Sequence, residues 1–129
     1  MVSSRRILLP SPANPGASAS ATVYDTGDPL SKNRSPNAQQ RKRCRVACYL
    51  DVTDAKLTVK WASPGSTNLR TVAEVSIDNG GSPAAAGFFQ RDVLLEPGRT
   101  VITIDTTTDP STWEVGAELV DDQALAELG

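Results

Sequence analysis

A chain of 129 residues is the size of a single domain, and only six of its residues are aromatic. It contains no histidine, which removes the commonest general base and the commonest metal ligand. The formal net charge of −2 conceals an asymmetry, because residues 1–60 carry ten Lys/Arg and four Asp/Glu, whereas residues 61–129 carry three and eleven. The basic first half indicates either an acidic partner or a fold that brings the two halves together.

The first 20 residues predict an extended arm, because three prolines, a glycine and many Ala and Ser residues disfavour a helix and leave little to bury. One segment of the arm can add as a strand to another sheet, and we predict that it binds a partner. Its residues are Arg5, Arg6, Ile7, Leu8 and Leu9. The start resembles an export signal, but its apolar run of three residues is shorter than the roughly 7–15 that export needs. We therefore expect no export, and no membrane span.

On both sides of an irregular stretch at 26–40 the sequence predicts strands, mainly because apolar and polar residues alternate with a period of two and, at 100–105, because the centre is β-branched. The predicted strands cover residues 21–25, 44–50, 57–62, 69–77, 88–95, 100–105 and 113–119. Turn signals separate them, including Ser63 to Ser66 and Glu96 to Arg99. This pattern indicates an all-β domain over 21–120, either an antiparallel β-sandwich (jelly-roll-like) or a barrel, between the extended N-terminal arm 1–20 and a C-terminal tail 121–129.

The alternation also predicts the core. Cys44, Val46, Cys48 and Leu50 share one face of their strand, and we place Trp61 and Trp113 in the core with four aliphatic residues. These four are Leu57, Val59, Val115 and Leu119. On a strand the two cysteines lie about 13 Å apart, too far for a disulfide. Two thiolates leave a zinc site incomplete, so we predict reduced core cysteines.

Catalytic constellations are not apparent in the sequence. It has no nucleophile elbow and no phosphate-binding glycine loop. Asp51 and Asp54 flank a turn, where aspartates cap backbone amides. The segment from Asp105 to Asp109 falls short of a calcium loop. We predict a protein that is not an enzyme and uses no cofactor or metal.

The densest charge cluster begins the first long strand. Arg41, Arg43 and Arg45 share a solvent-facing side, where neighbouring guanidinium groups repel each other unless anions face them. The cluster predicts docking on an acidic or phosphate surface. Equally, it can be an edge strand charged against aggregation. Nucleic acid is disfavoured, because no aromatic residues interleave with the run.

The stretch from Gly87 to Arg99, followed by Thr112 to Asp122, resembles small virion proteins of tailed bacteriophages, as does an arm preceding a Thr-rich β-domain. The resemblance covers roughly 85–122 and the general layout. It implies a homo-oligomer, for which a trimer is one form, that assembles in the host cytoplasm and belongs to the virion. It implies a capsid decoration or cement protein docked on the major capsid protein through its arm, or a neck or tail component. The alternative is a carbohydrate- or host-surface-binding β-sandwich module of a tail or fibre.

Overall fold

A computed structural model describes residues 5–27, 42–52, 54–77 and 87–121. Four of the sequence predictions lie wholly or mostly outside these described residues: the irregular stretch at 26–40, Arg41, the connection between the predicted strands 69–77 and 88–95, and the tail beyond Asp121. Within the described residues, all regular structure is β-strand, which confirms the predicted fold class. No helix in this part of the chain has the length and apolarity needed to cross a membrane.

Eight antiparallel strands form two sheets of four. The strands are β1 (Arg5–Leu8), β2 (Ala19–Asp25), β3 (Lys42–Leu50), β4 (Lys56–Ala62), β5 (Arg70–Ser76), β6 (Gly87–Leu95), β7 (Arg99–Thr106) and β8 (Trp113–Asp121). The first sheet has the order β1-β8-β3-β6 and the second sheet has the order β2-β7-β4-β5. Seven of the eight agree closely with segments predicted from the alternation, and β1 is the segment predicted to be able to form a strand.

The pairing is nested along the chain. Strand β1 pairs with β8, β2 with β7, β3 with β6, and β4 with β5. The chain therefore has the connectivity of one long antiparallel hairpin folded into a sandwich. The β3–β8 pair joins two of these strand pairs into the first sheet, and the β4–β7 pair joins the other two into the second sheet. The order is that of a jelly roll, which decides between the predicted sandwich and the barrel.

The predicted face of β3 forms the centre of the core. Cys44, Val46 and Leu50 are fully buried and Cys48 is 2% exposed. Leu57 and Val59 from β4 and Ile102 and Ile104 from β7 pack opposite them from the second sheet. Both cysteines are free thiols, as predicted. Apolar residues at every second position therefore meet between the sheets, where their burial supplies most of the favourable free energy.

The two tryptophans lie nearer the margin of the core than predicted. Trp113 is partly buried against the core, and its indole N–H donates to the Pro12 carbonyl at 2.9 Å. Trp61 is also partly buried, and its indole donates to the Pro97 carbonyl at 2.9 Å. An indole N–H needs a hydrogen-bond partner when it leaves water. Both rings therefore sit where a loop carbonyl is within reach rather than in the apolar centre.

The turn before β7 requires its glycine. Gly98 is buried and has a φ of +114°, a backbone conformation that other residues rarely adopt. A Cβ at this position would collide with the Ala62 carbonyl oxygen. At the other predicted turn, the Ser66 amide donates to the Ser63 carbonyl at 2.9 Å and Gly65 has a φ of +83°. Both predicted turns therefore exist, and each contains a glycine with a positive φ.

Candidate binding surfaces

The outer face of the first sheet collects the predicted arginines. Arg43 and Arg45 project from β3, and both bond to Asp92 on the neighbouring β6, at 3.1 and 3.0 Å. On the other side, Arg45 lies 3.5 Å from Glu118 of β8, and Arg6 of β1 lies 3.9 Å from the same carboxylate. Strands from both halves of the sequence thus place opposite charges side by side.

These contacts bear on the two interpretations of the basic run. Arg43 and Arg45 are flanked by carboxylates of their own chain, so the acidic second half supplies anions that a partner would otherwise provide. Strand β3 is also central rather than at an edge, since it lies between β8 and β6. The edge-protection interpretation is therefore wrong for β3, because a central strand has no edge to protect.

The N-terminal segment is extended, but it is not a free arm in this structure. Residues Arg5–Leu8 form β1 along the edge of the first sheet, and the Leu9 amide donates to the Ala117 carbonyl at 2.9 Å. Ile7 is 58% exposed and Leu8 is 81% exposed, whereas Leu9 packs partly against the core. The segment therefore pairs with its own sheet while presenting two apolar side chains to solvent.

The proline-rich linker between β1 and β2 is held to the body at several points. Besides the bond from Trp113 to Pro12, the Asn14 side-chain amide donates to the Pro110 carbonyl at 2.8 Å. The Thr106 hydroxyl donates to the Gly16 carbonyl at 2.6 Å. Side chains of the body thus satisfy two carbonyls of the linker, and a linker side chain satisfies one carbonyl of the body. The folded unit begins at Arg5 among the described residues, not at residue 21.

A second feature of the first sheet lies at the other end of its outer face. Tyr49 of β3 and Phe88 of β6 are register partners and are 41% and 62% exposed. They border a groove of about 750 Å³ whose lining includes Ala47, Gly116 and Glu114. Sequence reasoning did not single out these two aromatics. The signal was present, since Tyr49 alternates with buried Cys48, and the Phe88–Phe89 pair puts one ring on each face.

An apolar cleft of about 490 Å³ opens beside the β5 and β6 edges. Val59 and Trp61 of β4 line it together with Val72 of β5 and Leu94 of β6. Val72 is 57% exposed and Leu94 is 55% exposed. The register of β4 with β5 shifts between Val59 and Lys60, which leaves Val72 as the extra residue of a bulge.

The predicted capping aspartates have the structural role that the sequence indicated. Asp51 accepts hydrogen bonds from the amides of Ser111 and Thr112 at 3.0 and 3.1 Å. The bond from Thr112 is the main reason why the pKa of the Asp51 carboxyl lies below its usual value. Asp54 accepts from the Thr108 hydroxyl at 2.6 Å. Both side chains tie the loop before β8 to the loop after β3.

A further carboxylate organises the outer face of the second sheet. Asp105 of β7 accepts hydrogen bonds from Ser20 and Thr58 at 2.6 Å and from Thr103 at 3.1 Å. Burial acts to raise the pKa of Asp105, but these three hydroxyl donors and the charge of Lys60 outweigh it, so the pKa is lowered. In residues 5–27, 42–52, 54–77 and 87–121, no cluster of three or more His, Cys, Asp or Glu residues could hold a metal ion.

Comparison with known proteins adds little to this geometry. No family model matches the sequence, and no curated protein matches it. Among solved structures, a chain from the work described as "Bacillus endospore appendages form a novel family of disulfide-linked pili" is similar over 92% of this chain and 85% of that chain. The identity is 13% and the TM-score is 0.42. A likeness of that size supports no functional argument.

Proposed function

We propose that the chain is a non-enzymatic structural subunit of a bacteriophage virion, a capsid decoration protein that docks on the major capsid protein through its N-terminal strand. The observation that carries the proposal is β1. Ile7 and Leu8 together expose apolar surface that the domain's own fold leaves uncovered. Because β1 ends the sheet order, none of the described strands pairs with its outer side.

An open strand edge with apolar side chains is suited to a neighbour that adds a strand of its own. Backbone hydrogen bonds then give affinity, and alternate side chains give specificity. Natural proteins usually cover or charge such edges to prevent unwanted pairing. The first two residues of β1 are arginines, and Arg6 lies beside Glu118 of the same chain. The charge is therefore confined to the first half of the strand, and the second half, Ile7 and Leu8, is apolar.

The test is a single substitution that leaves the fold intact. Leu8→Ser removes an 81% exposed side chain, so the melting temperature should stay within about 2 °C of wild type. Full burial of a leucine contributes about 1.5–3 kcal/mol, so affinity for virions stripped of this protein should fall about 10- to 150-fold. Co-sedimentation of labelled protein with the particles measures it.

Leu94→Ser is the matched control, because Leu94 is a 55% exposed leucine on the opposite edge strand of the same sheet. Its binding to particles should equal that of wild type. Raising salt should weaken wild-type binding only in part, because strand pairing is not ionic. If Leu8→Ser saturates the particles with wild-type affinity, β1 is not the docking element.

A further inference from the structure

The groove beside Tyr49 and Phe88 has properties that the proposed docking of β1 does not use. The two rings project from adjacent strands at paired positions, so their side chains stand next to each other on one face. Both side chains remain exposed, Tyr49 at 41% and Phe88 at 62%. Adjacent exposed aromatic faces beside a groove of about 750 Å³ indicate a surface that binds a ligand.

The residues at the bottom of the groove have little side-chain bulk. Ala47 of β3 pairs with Gly116 of β8, a glycine in the interior of a paired strand. Glycine weakens strands, and in such positions it often marks a close approach by another molecule. Nothing lies within 4 Å of the place where a Cβ at Gly116 would stand, and its φ is not in the left-handed region. The described fold therefore gives no steric or conformational reason for this glycine.

The backbone beneath the groove is already paired. Strand β3 is bonded to β6 on one side and to β8 on the other along its whole length. A ligand over Tyr49 therefore cannot add to β3 as a strand, and it meets the exposed side chains of β3 instead. The groove offers the apolar faces of Tyr49 and Phe88, with the Glu114 carboxylate and the Ser11 hydroxyl as polar partners.

We propose that this groove binds a neutral carbohydrate, with pyranose rings stacked on Tyr49 and Phe88. One face of a pyranose ring presents C–H groups with small positive partial charge, which pack on the electron-rich face of an aromatic ring. Its hydroxyls lie around the rim, where a carboxylate and a hydroxyl can accept or donate hydrogen bonds. A volume of about 750 Å³ is within the range of small-ligand sites.

The charge of the groove selects among carbohydrates. Glu114 is exposed at the rim, and none of the described residues that line the groove is a Lys or an Arg. A carboxylate repels sialic and uronic acids, whereas it accepts hydrogen bonds from neutral hydroxyls. The ligand class is therefore a neutral hexose oligosaccharide. This site is independent of β1, so the two proposals can fail separately.

The experiment titrates the full chain with four neutral tetrasaccharides, built from β-1,4-glucose, α-1,4-glucose, β-1,4-mannose and β-1,4-N-acetylglucosamine. Isothermal calorimetry is run with a sialylated tetrasaccharide and a proline-rich decapeptide as comparison ligands. We expect at least one neutral tetrasaccharide to bind with a Kd of about 1 mM or tighter, the weak range in which small ligands bind. The sialylated ligand should bind at least tenfold more weakly.

Three variants locate the site. Tyr49→Ala and Phe88→Ala should each weaken binding about tenfold or more, the loss expected from one stacked ring. Gly116→Val should abolish binding while keeping or raising the melting temperature, because a β-branched residue favours a strand and open space is available. Val72→Ala, which removes part of an exposed apolar side chain outside the groove, should bind like wild type.

The proposal is overturned if none of the four tetrasaccharides binds at 10 mM, or if binding survives Gly116→Val. Preference for the sialylated ligand or for the proline-rich peptide would also overturn it. A folded Gly116→Val that binds virions normally but no glycan would separate this site from the docking of β1.

Discussion

Strands β7 and β5 belong to the same sheet and both flank β4, yet their burial differs completely. Along β7 every second residue is buried, from Thr100 to Thr106. Along β5 no residue is buried, and only Val75 is partly covered. The sequence predicts both segments as strands, β5 from alternation and β7 from its β-branched centre, but neither pattern indicates which strand is buried.

The difference in burial arises from where each strand lies in the second sheet. Strand β7 lies between β2 and β4 and faces the core residues of β3, whereas β5 ends the second sheet. The bulge at Val72 then changes the phase of β5 against β4, so that alternate residues do not keep to one face along the whole of β5. Alternation shows which side chains share a face, but it does not show whether another layer covers that face.

Truncation of an apolar side chain should therefore cost much more on β7 than on β5. Ile102 is fully buried, and Ile102→Ala leaves a cavity that should lower the free energy of unfolding by about 2–5 kcal/mol. Val72 is 57% exposed, and Val72→Ala should cost about 0.5 kcal/mol or less. Urea unfolding followed by circular dichroism measures both.

The m-values of these two variants serve as the control, because an unchanged m-value shows that both states kept their compactness. Equal destabilisation by the two truncations would mean that β5 is covered as β7 is, and the comparison would then fail.

Carboxylates on the outer faces of the two strands should also differ in how their contribution to stability depends on pH. Asp105 on β7 has a lowered pKa, so its stabilisation is present above the unfolded value near 3.9 and is lost as pH falls through the folded value. Asp105→Asn should cost about 1–2 kcal/mol at pH 7, through its three hydroxyl donors, and progressively less below about pH 4.

Glu74→Gln on β5 is the matched change, since Glu74 makes an exposed ion pair with Lys56 at 3.1 Å. Such pairs contribute about 0.2–1 kcal/mol at most. In thermal melts between pH 2.5 and pH 7.5, the loss of stability relative to wild type should change strongly with pH for Asp105→Asn and only slightly for Glu74→Gln. A constant effect of Asp105→Asn across this range would contradict the assignment of the lowered pKa.

The smallest expected effect is the reaction of the two core cysteines with a thiol reagent in the native protein. Burial raises the pKa of the Cys44 thiol to about 12, with the charge of Asp92 adding to it, and raises that of Cys48 to about 11. At pH 8 the thiolate fraction of each is then about 0.1% or less. Neither cysteine should react with a disulfide reagent within minutes in the native protein, and both should react in denaturant.

Rapid labelling of one thiol in the native state would show that the core opens far enough for a reagent to reach β3. The absence of any labelling in denaturant without reductant would instead show that the cysteines are oxidised.

The candidate surfaces were predictable only in part. Arg43, Arg45 and the strand-forming segment at Arg5 to Leu9 were found because charge and apolar content are local properties of the sequence. That Asp92 and Glu118 would flank those arginines was not predictable, because these residues are 47 and 73 positions from Arg45 in the chain. Gly116 could not be recognised either, since its significance depends on what surrounds a Cβ in three dimensions.

The sequence by itself determined the strands, the all-β class, the buried face of β3, and the two turns at Ser63 to Ser66 and Glu96 to Arg99. These follow from interactions within a few residues, namely the two-residue period, β-branched content, and the conformations that proline and glycine favour. Only the tertiary structure decided that β1 pairs with β8 across more than 100 residues, that the arm lies on its own domain, and that Tyr49 and Phe88 stand side by side. Those outcomes depend on which sheet edges meet, and strand pairing is set by the packing of the whole chain rather than by any local pattern.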